Sequence, residues 1–262
     1  MFVSLAASRR LRGALGLATF ALAPGRVLAQ SATEHIALGD KDHQSLNASS
    51  ALHHYEEAIK ADPRSYEALW KATREAVDIG EYKPDEKERE RLYSNAELYA
   101  RRAVAANPAD VEGHALLAQA LGRKALSLGK KDRVKYAGDV RTDALDALTI
   151  DPKHPGALHV MGRWNYEVLR LSGITRFVAK TFLGGKVFDS ANWEEAQRYM
   201  EESVANEPNR LVHHLDLARV YAARGDRERA RAQFEATIRG TAAEFNDRHF
   251  QRQASDELVD VR

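Results

Sequence analysis

The chain has 262 residues, 39 of them basic and 38 acidic, with a net charge of +1 and no cysteine. Without cysteine there can be no disulfide framework, thiolate metal site, cysteine nucleophile or lipid attached through an N-terminal cysteine. With 44% apolar and 29% charged residues, the composition is that of a folded domain, and no apolar run is long enough to cross a bilayer.

The charge is unevenly placed. Residues 1–29 carry Arg9, Arg10, Arg12 and Arg26, and the first acid is Glu34. Without these four arginines, 35 basic residues face 38 acidic ones, a net charge of −3. A general nucleic-acid binder needs the opposite sign in its folded body, so nucleic acid is excluded as a partner. In the leader itself, Arg9, Arg10 and Arg12 precede the uncharged run Gly13 to Ala23. Pro24-Gly25 follows, and then Val27-Leu28-Ala29 before Gln30. A basic stretch, a short apolar stretch and a small-residue cleavage site make a secretory signal peptide over residues 1–29. The expected location is periplasmic or otherwise extracytoplasmic. A mitochondrial presequence is the alternative, because the segment is also arginine-rich and free of acid.

Past the leader, periodicity is helical throughout. Four prolines recur in one context: ADPRS at Pro63, ANPAD at Pro108, IDPKH at Pro152 and NEPNR at Pro208. Each follows an alanine-rich stretch and reads as a helix stop followed by a restart. This is the punctuation of tetratricopeptide repeats, helix-turn-helix units with small residues where the two helices touch. Leu38-Gly39 with Ala51, Tyr55 and Ala58 fits a first unit. Leu217-Ala218 with Tyr221, Ala230 and Phe234 fits a last one. The prolines lie 45, 44 and 56 residues apart, against about 34 for an ordinary repeat, so the middle units are extended. Pro84 with Asp85, Glu86 and Glu88 opens a long helix that continues through Leu92, Ala96, Tyr99, Ala100 and Ala103. The expected fold is all-α, a right-handed α-solenoid of about five helix hairpins over residues 32–65, 66–110, 111–154, 155–210 and 211–240. A capping helix over 241–262, bearing Phe245, Phe250, Ala254 and Leu258, covers the last apolar face. Residues 30–262 then form a single domain.

The extended middle resembles the regulator of microtubule dynamics protein family. The likeness is carried by KADPRSYEALWKATREAVDIGEY, by HPGALHVMGRWNYEVLRLSGITRFVAKTFLGG and by WEEAQRYMEESVANEP. Most of it lies in Leu158 to Leu171, in the order Leu-His-x-x-Gly-Arg-Trp-x-Tyr-x-Val. The resemblance covers roughly residues 34–258 and implies a non-enzymatic role in binding proteins or lipids. Eukaryotic members are linked to microtubules and organelle contacts, and some bind phospholipids. A cleaved secretory leader would put this chain where no microtubule is reachable, so the resemblance is carried over as fold and binding mode.

Catalytic signatures are missing. His53-His54-x-x-Glu57 lacks the order that sets two histidines on one helix face around a glutamate, and His213-His214 diverge around the helix. Gly184-Gly185-Lys186 is followed by Val187 in place of the Ser or Thr of a phosphate loop, and there is no serine nucleophile elbow. No enzyme, cofactor or metal is expected.

In a tetratricopeptide array the first helix of each hairpin lines the concave face. Equivalent positions there hold Arg74, Gln119, Arg163 and Arg219. Trp70 and His159 stand one turn earlier, and Tyr166 follows Arg163. An arginine ladder suits capture of carboxylate or phosphate. The expected ligand is a protein or peptide with acidic or C-terminal carboxylate groups, and the alternative is an anionic phospholipid. The opposing reading has these arginines pairing with acids such as Glu67 or Glu112 and merely joining repeats. Between Glu167 and Asp189 there is no acid, while Leu171, Ile174, Phe177, Val178 and Phe182 share a helical face. That stretch reads either as packing that fills the superhelix or as an apolar pocket for an acyl chain.

Overall fold

The computed structural model describes residues 24–128, 130–171 and 185–261. Eleven α-helices are present among them: α1 Pro24–Gln44, α2 Ala48–Ala61, α3 Tyr66–Glu81, α4 Glu86–Ala106, α5 Val111–Ser127, α6 Lys130–Ile150, α7 Pro155–Leu169, α8 Trp193–Asn206, α9 Leu211–Ala223, α10 Arg227–Arg239 and α11 Asp247–Leu258. A short 3-10 segment spans Gly185–Ser190, and another spans Val259–Val261. There is no strand among the described residues.

The four proline turns have one construction. The amide of the residue before each proline bonds the carbonyl four residues back: Asp62 to Ala58 at 2.8 Å, Asn107 to Ala103 at 2.9 Å, Asp151 to Ala147 at 2.9 Å and Glu207 to Ser203 at 3.0 Å. The same residue's carbonyl then accepts from the amide three residues on, at Ser65, Asp110, His154 and Arg210. Proline cannot extend the outgoing helix, and the next helix needs an acceptor for its free first-turn amides. Ser65, Asp110 and His154 supply one: Ser65 Oγ accepts from Ala68, Asp110 from Glu112, and His154 Nδ1 from Ala157. Asn47, Asp85, Asn192 and Asp226 cap α2, α4, α8 and α10 in the same way. Pro84 thus stands just outside α4, and Asp85 is its cap.

The helices pair as α1·α2, α3·α4, α5·α6, α7·α8 and α9·α10, each second helix packs on the next hairpin, and α11 lies on α10 and α9. Contacts of α1 with α3, α3 with α5, α5 with α7 and α7 with α9 align the first helices along the inner face of an α-solenoid. Small residues permit this spacing. Ala51, Ala58, Ala72, Ala76, Ala96, Ala118, Ala144 and Ala218 are fully buried. A Cβ added at Gly39 would stand 2.5 Å from the Tyr55 ring, and one at Gly162 would stand 2.6 Å from Met200. Three large apolar clusters follow one another along the stack, with a small one of Ala115, Ala147 and Ala157 beside them. Tyr55 and Leu69 belong to the first, Leu121, Trp164 and Phe188 to the second, and Met200, Phe234 and Phe250 to the third. Two expected core positions face solvent instead: Leu38 of α1 and Phe245, which precedes the cap. Phe250 and Ala254 are buried, and Leu258 packs beside them.

The cap also reaches across the concave face. Asn246 Nδ2 donates to the Asp78 carbonyl at 2.8 Å. The Tyr82 hydroxyl donates to Gln253 at 3.2 Å, and its ring stacks on His249 with centroids 4.1 Å apart. The end of the chain therefore closes onto the second hairpin, and the groove becomes a lumen.

Candidate functional site

The polar groups of the lumen converge on Asp216 of α9, which is almost completely buried. Its Oδ1 accepts from Arg163 at 2.6 Å and from Arg219 at 2.8 Å, and its Oδ2 lies 2.9 Å from His159 Nε2. Burial alone would push this carboxyl up. Arg163, the His159 hydrogen bond and Arg219 outweigh it and hold the group well below the usual carboxylate range. Both guanidiniums are correspondingly held above their ordinary value, despite burial, by Asp216 together with Glu167 for Arg163 and Glu257 for Arg219. Next to this cluster, burial and the neighbouring His159 and Arg210 push His213 well below the ordinary histidine range, so it is neutral.

Of the sequence-expected groove residues, Arg163 and Arg219 meet at Asp216, 53 and 3 positions along the chain from it. Tyr166 joins them, with its ring under Arg163 and Arg170 at 5.9 and 5.1 Å. His159 and Gln119 line the adjoining space. Arg74 and Trp70 stand apart: Arg74 is bound to the buried Glu75 at 2.9 Å and lies over the Trp70 ring at 5.4 Å. The acids that partner the arginines are Glu75, Glu167, Asp216 and Glu257. Glu67 pairs with Lys71 and Glu112 with His154. Of the apolar set, Leu171 packs on the middle cluster beside Phe188. Ile174, Phe177, Val178 and Phe182 lie outside the described residues, as do residues 1–23 of the leader.

Two cavities adjoin at this point. One, of about 560 Å³, is polar and is walled by Arg89, Arg123, Arg163, Arg170 and Arg219 against Glu81, Glu167 and Glu257, with Tyr82, Tyr93 and Tyr166 between them. The other, of about 100 Å³, is an apolar slot among Ala118, Ala125, Ala137, Val140, Val160, Trp164, Val168, Leu171 and Phe188. They share Arg123, Leu126, Arg163 and Glu167.

Pairing within the polar cavity is incomplete. Arg123 binds Glu81 at 2.6 Å, Arg163 binds Glu167 at 2.9 Å, and Arg219 binds Glu257. Arg89 donates to the Lys83 carbonyl at 2.9 Å and reaches only Glu86, outside the cavity, at 3.7 Å. Arg170 donates to the Tyr166 hydroxyl. Among the described residues, five cations thus face three wall acids and the underlying Asp216.

Arg123 and Arg170 were legible as later turns of the faces that carry Gln119 and Arg163, four and seven residues on. Asp216 and Glu257 were not. An acid three positions before Arg219 has no sequence mark to distinguish it from a solvated one, and Glu257 arrives only through the cap.

The hairpin stack, the recurring proline turns and the inward-facing first helices define a tetratricopeptide-like α-solenoid. A solved tetratricopeptide-repeat protein of Thermus thermophilus shares this fold with a TM-score of 0.60 and 18% identity, covering 86% of this chain and 98% of that one. The model of the regulator of microtubule dynamics protein 1–3 family matches residues 32–261, and the chain belongs to that family. It is 27% identical over 144 residues to regulator of microtubule dynamics protein 1 of Mus musculus, a match covering 55% of this chain and 47% of the mouse protein. It is 26% identical to the Bos taurus protein over 55% of this chain and 45% of that protein. The match thus spans about half the length of these relatives. No helix among the described residues is long and apolar enough to cross a membrane.

Proposed function

We propose that this helical-repeat scaffold is a non-catalytic binding module whose lumen takes an anionic amphiphile, with a phosphate or carboxylate head in the polar cavity and the head-proximal carbons of an apolar tail in the slot. The carrying observation is that a cavity in which two arginines have no wall acid as partner among the described residues adjoins an apolar one, the two sharing Arg123, Leu126, Arg163 and Glu167. Guanidinium suits such a head because it binds oxyanions through two donors at once. Arg89 and Arg170 are the residues assigned to it, since Arg163 and Arg219 are committed to Asp216.

The peptide reading draws support from the same cations, because an acidic or C-terminal carboxylate could enter the polar cavity. It is second because the cap crosses the concave face from α9 to α3, where an extended peptide would need to lie.

The two readings separate in one experiment. Purified chain is incubated with dioleoyl phosphatidic acid or dioleoyl phosphatidylcholine and examined by native mass spectrometry. Retention of the anionic lipid, weakened at least about tenfold by Arg89→Gln with Arg170→Gln and abolished by Leu126→Trp, supports the amphiphile. Failure to retain either lipid rejects it. Binding of an acidic peptide that Leu126→Trp leaves intact supports the peptide. We further place the module, after removal of residues 1–29, in an extracytoplasmic compartment, with mitochondria as the alternative; sequencing the N-terminus of protein isolated from cells tests this.

A further inference from the structure

A second cluster lies outside both lumen cavities, between the two helices of the third hairpin. His114 of α5 faces Asp143 and Asp146, which lie three residues apart and so share a face of α6. One donor atom from each of the three residues lies within 4.8 Å of the others. The His114 and Asp143 side chains are only 13% and 17% exposed, and His114 Nδ1 stands 3.9 Å from Asp143 Oδ1.

The imidazole tautomer is constrained. Nε2 lies 3.1 Å from the Pro108 carbonyl oxygen, which can only accept, so Nε2 carries hydrogen. In the neutral ring, Nδ1 is then an acceptor, and this atom is buried without a hydrogen-bond partner. A lone pair with no donor therefore points toward a carboxylate that also lacks one, since neither aspartate makes a side-chain hydrogen bond among the described residues. Two acceptors face to face are costly unless a proton or a metal cation stands between them, and 3.9 Å is too long for the pair to share a proton in a hydrogen bond. Arg101, which also acts on Asp143, is held by Glu97 at 3.0 Å.

We propose that His114 Nδ1, Asp143 and Asp146 form a binding site for one divalent transition-metal ion of the zinc class. The donor set favours that class, because an imidazole nitrogen selects first-row transition ions over magnesium or calcium while two carboxylates neutralise the charge. An imidazole whose other nitrogen donates to a backbone carbonyl is the usual outer-shell arrangement of a metal-ligating histidine. Bonds of about 2.0–2.2 Å require the three atoms to draw in by roughly 1 Å. Asp146 is exposed and free to rotate, which makes that movement available. Bound there, the ion would clamp α5 to α6 within the hairpin that also forms the apolar slot.

The test uses the whole chain, stripped with chelator and titrated with Zn²⁺ against a chromophoric competitor, with Mg²⁺ as contrast. The expected result is one Zn²⁺ per chain and no comparable Mg²⁺ binding. Asp146→Asn should weaken Zn²⁺ binding at least about tenfold, the loss that even an outer-shell partner can cause, and His114→Gln should weaken it further. Asp146 is at the surface, so its variant keeps the fold and the test remains decisive if His114→Gln misfolds. His54→Ala, which disrupts the separate His35–His54 contact, should change nothing. The site is rejected if wild type binds no Zn²⁺, if Asp146→Asn binds as tightly as wild type, or if His54→Ala removes the binding.

Discussion

The side-chain amide of Asn246 donates to the backbone carbonyl of Asp78 at 2.8 Å, and 168 positions of chain separate the two. In a solenoid, contacts normally run between neighbouring repeats. This one runs from the cap to the second hairpin, so it reports whether the ring of repeats is closed. Asn246 and Asp78 are both buried, and removing one partner leaves the other desolvated and unpaired. Asn246→Ala is expected to lower stability by about 1–2 kcal/mol. Hydrogen exchange should quicken in α11 and the C-terminal half of α3 while α5 and α6 keep their protection.

Asp78 makes the same junction sensitive to pH. Burial raises its carboxyl to about 7 from an ordinary 3.8; Arg210 opposes this, and Glu75, Glu81 and Glu244 add to it. Between these values the unfolded chain has released the proton and the folded one still holds it, so this group lowers stability as pH rises from about 4 to 7. Asp78→Asn is expected to flatten that slope and to stabilise the protein at pH 8 by about 1–3 kcal/mol. Denaturant melts across the range would show it, and an unchanged slope would contradict it.

Asp216 has the opposite sign. Its folded-state value lies well below 3.8, so its contribution is complete above the ordinary carboxylate range and is lost as pH falls through the lowered value. Asp216→Ala leaves Arg163 and Arg219 without their shared acid, and removing one partner of a buried charge pair costs about 3–5 kcal/mol. Chemical denaturation at pH 7 should show a loss of that order. The acid limb of the variant's stability curve should be shallower than that of wild type.

Gly39 tests the spacing of the first hairpin. Alanine is worth up to about 1 kcal/mol over glycine in a helix, but its Cβ would stand 2.5 Å from the fully buried Tyr55 ring. A rigid ring in a packed core does not yield as a flexible chain does, and overpacking costs about 1–3 kcal/mol. Gly39→Ala is expected to be destabilising overall by about 1 kcal/mol, measured by thermal unfolding. A raised midpoint would mean that α1 can slide away from α2.

Local chemistry accounts for much of what could be read from residues alone. Pro63, Pro108, Pro152 and Pro208 end helices because proline has no amide to give, and Ser65, Asp110 and His154 restart three of the next ones because a side-chain acceptor, here a hydroxyl, a carboxylate and a ring nitrogen, satisfies first-turn donors. These are interactions over three or four residues, so the hairpins and their order were visible in the sequence. The placing of Arg163 and Arg219 on inner faces was visible too, because helical periodicity carries it. Their pairing with acids was the opposing reading, but the partners are Asp216, Glu167 and Glu257 and not Glu67 or Glu112. Which acid meets which guanidinium depends on how far the superhelix turns per repeat, a sum of small packing angles that no local pattern encodes. That sum set Asp216 between the two arginines and Arg74 against Glu75. It also brought the cap across the concave face to Asp78.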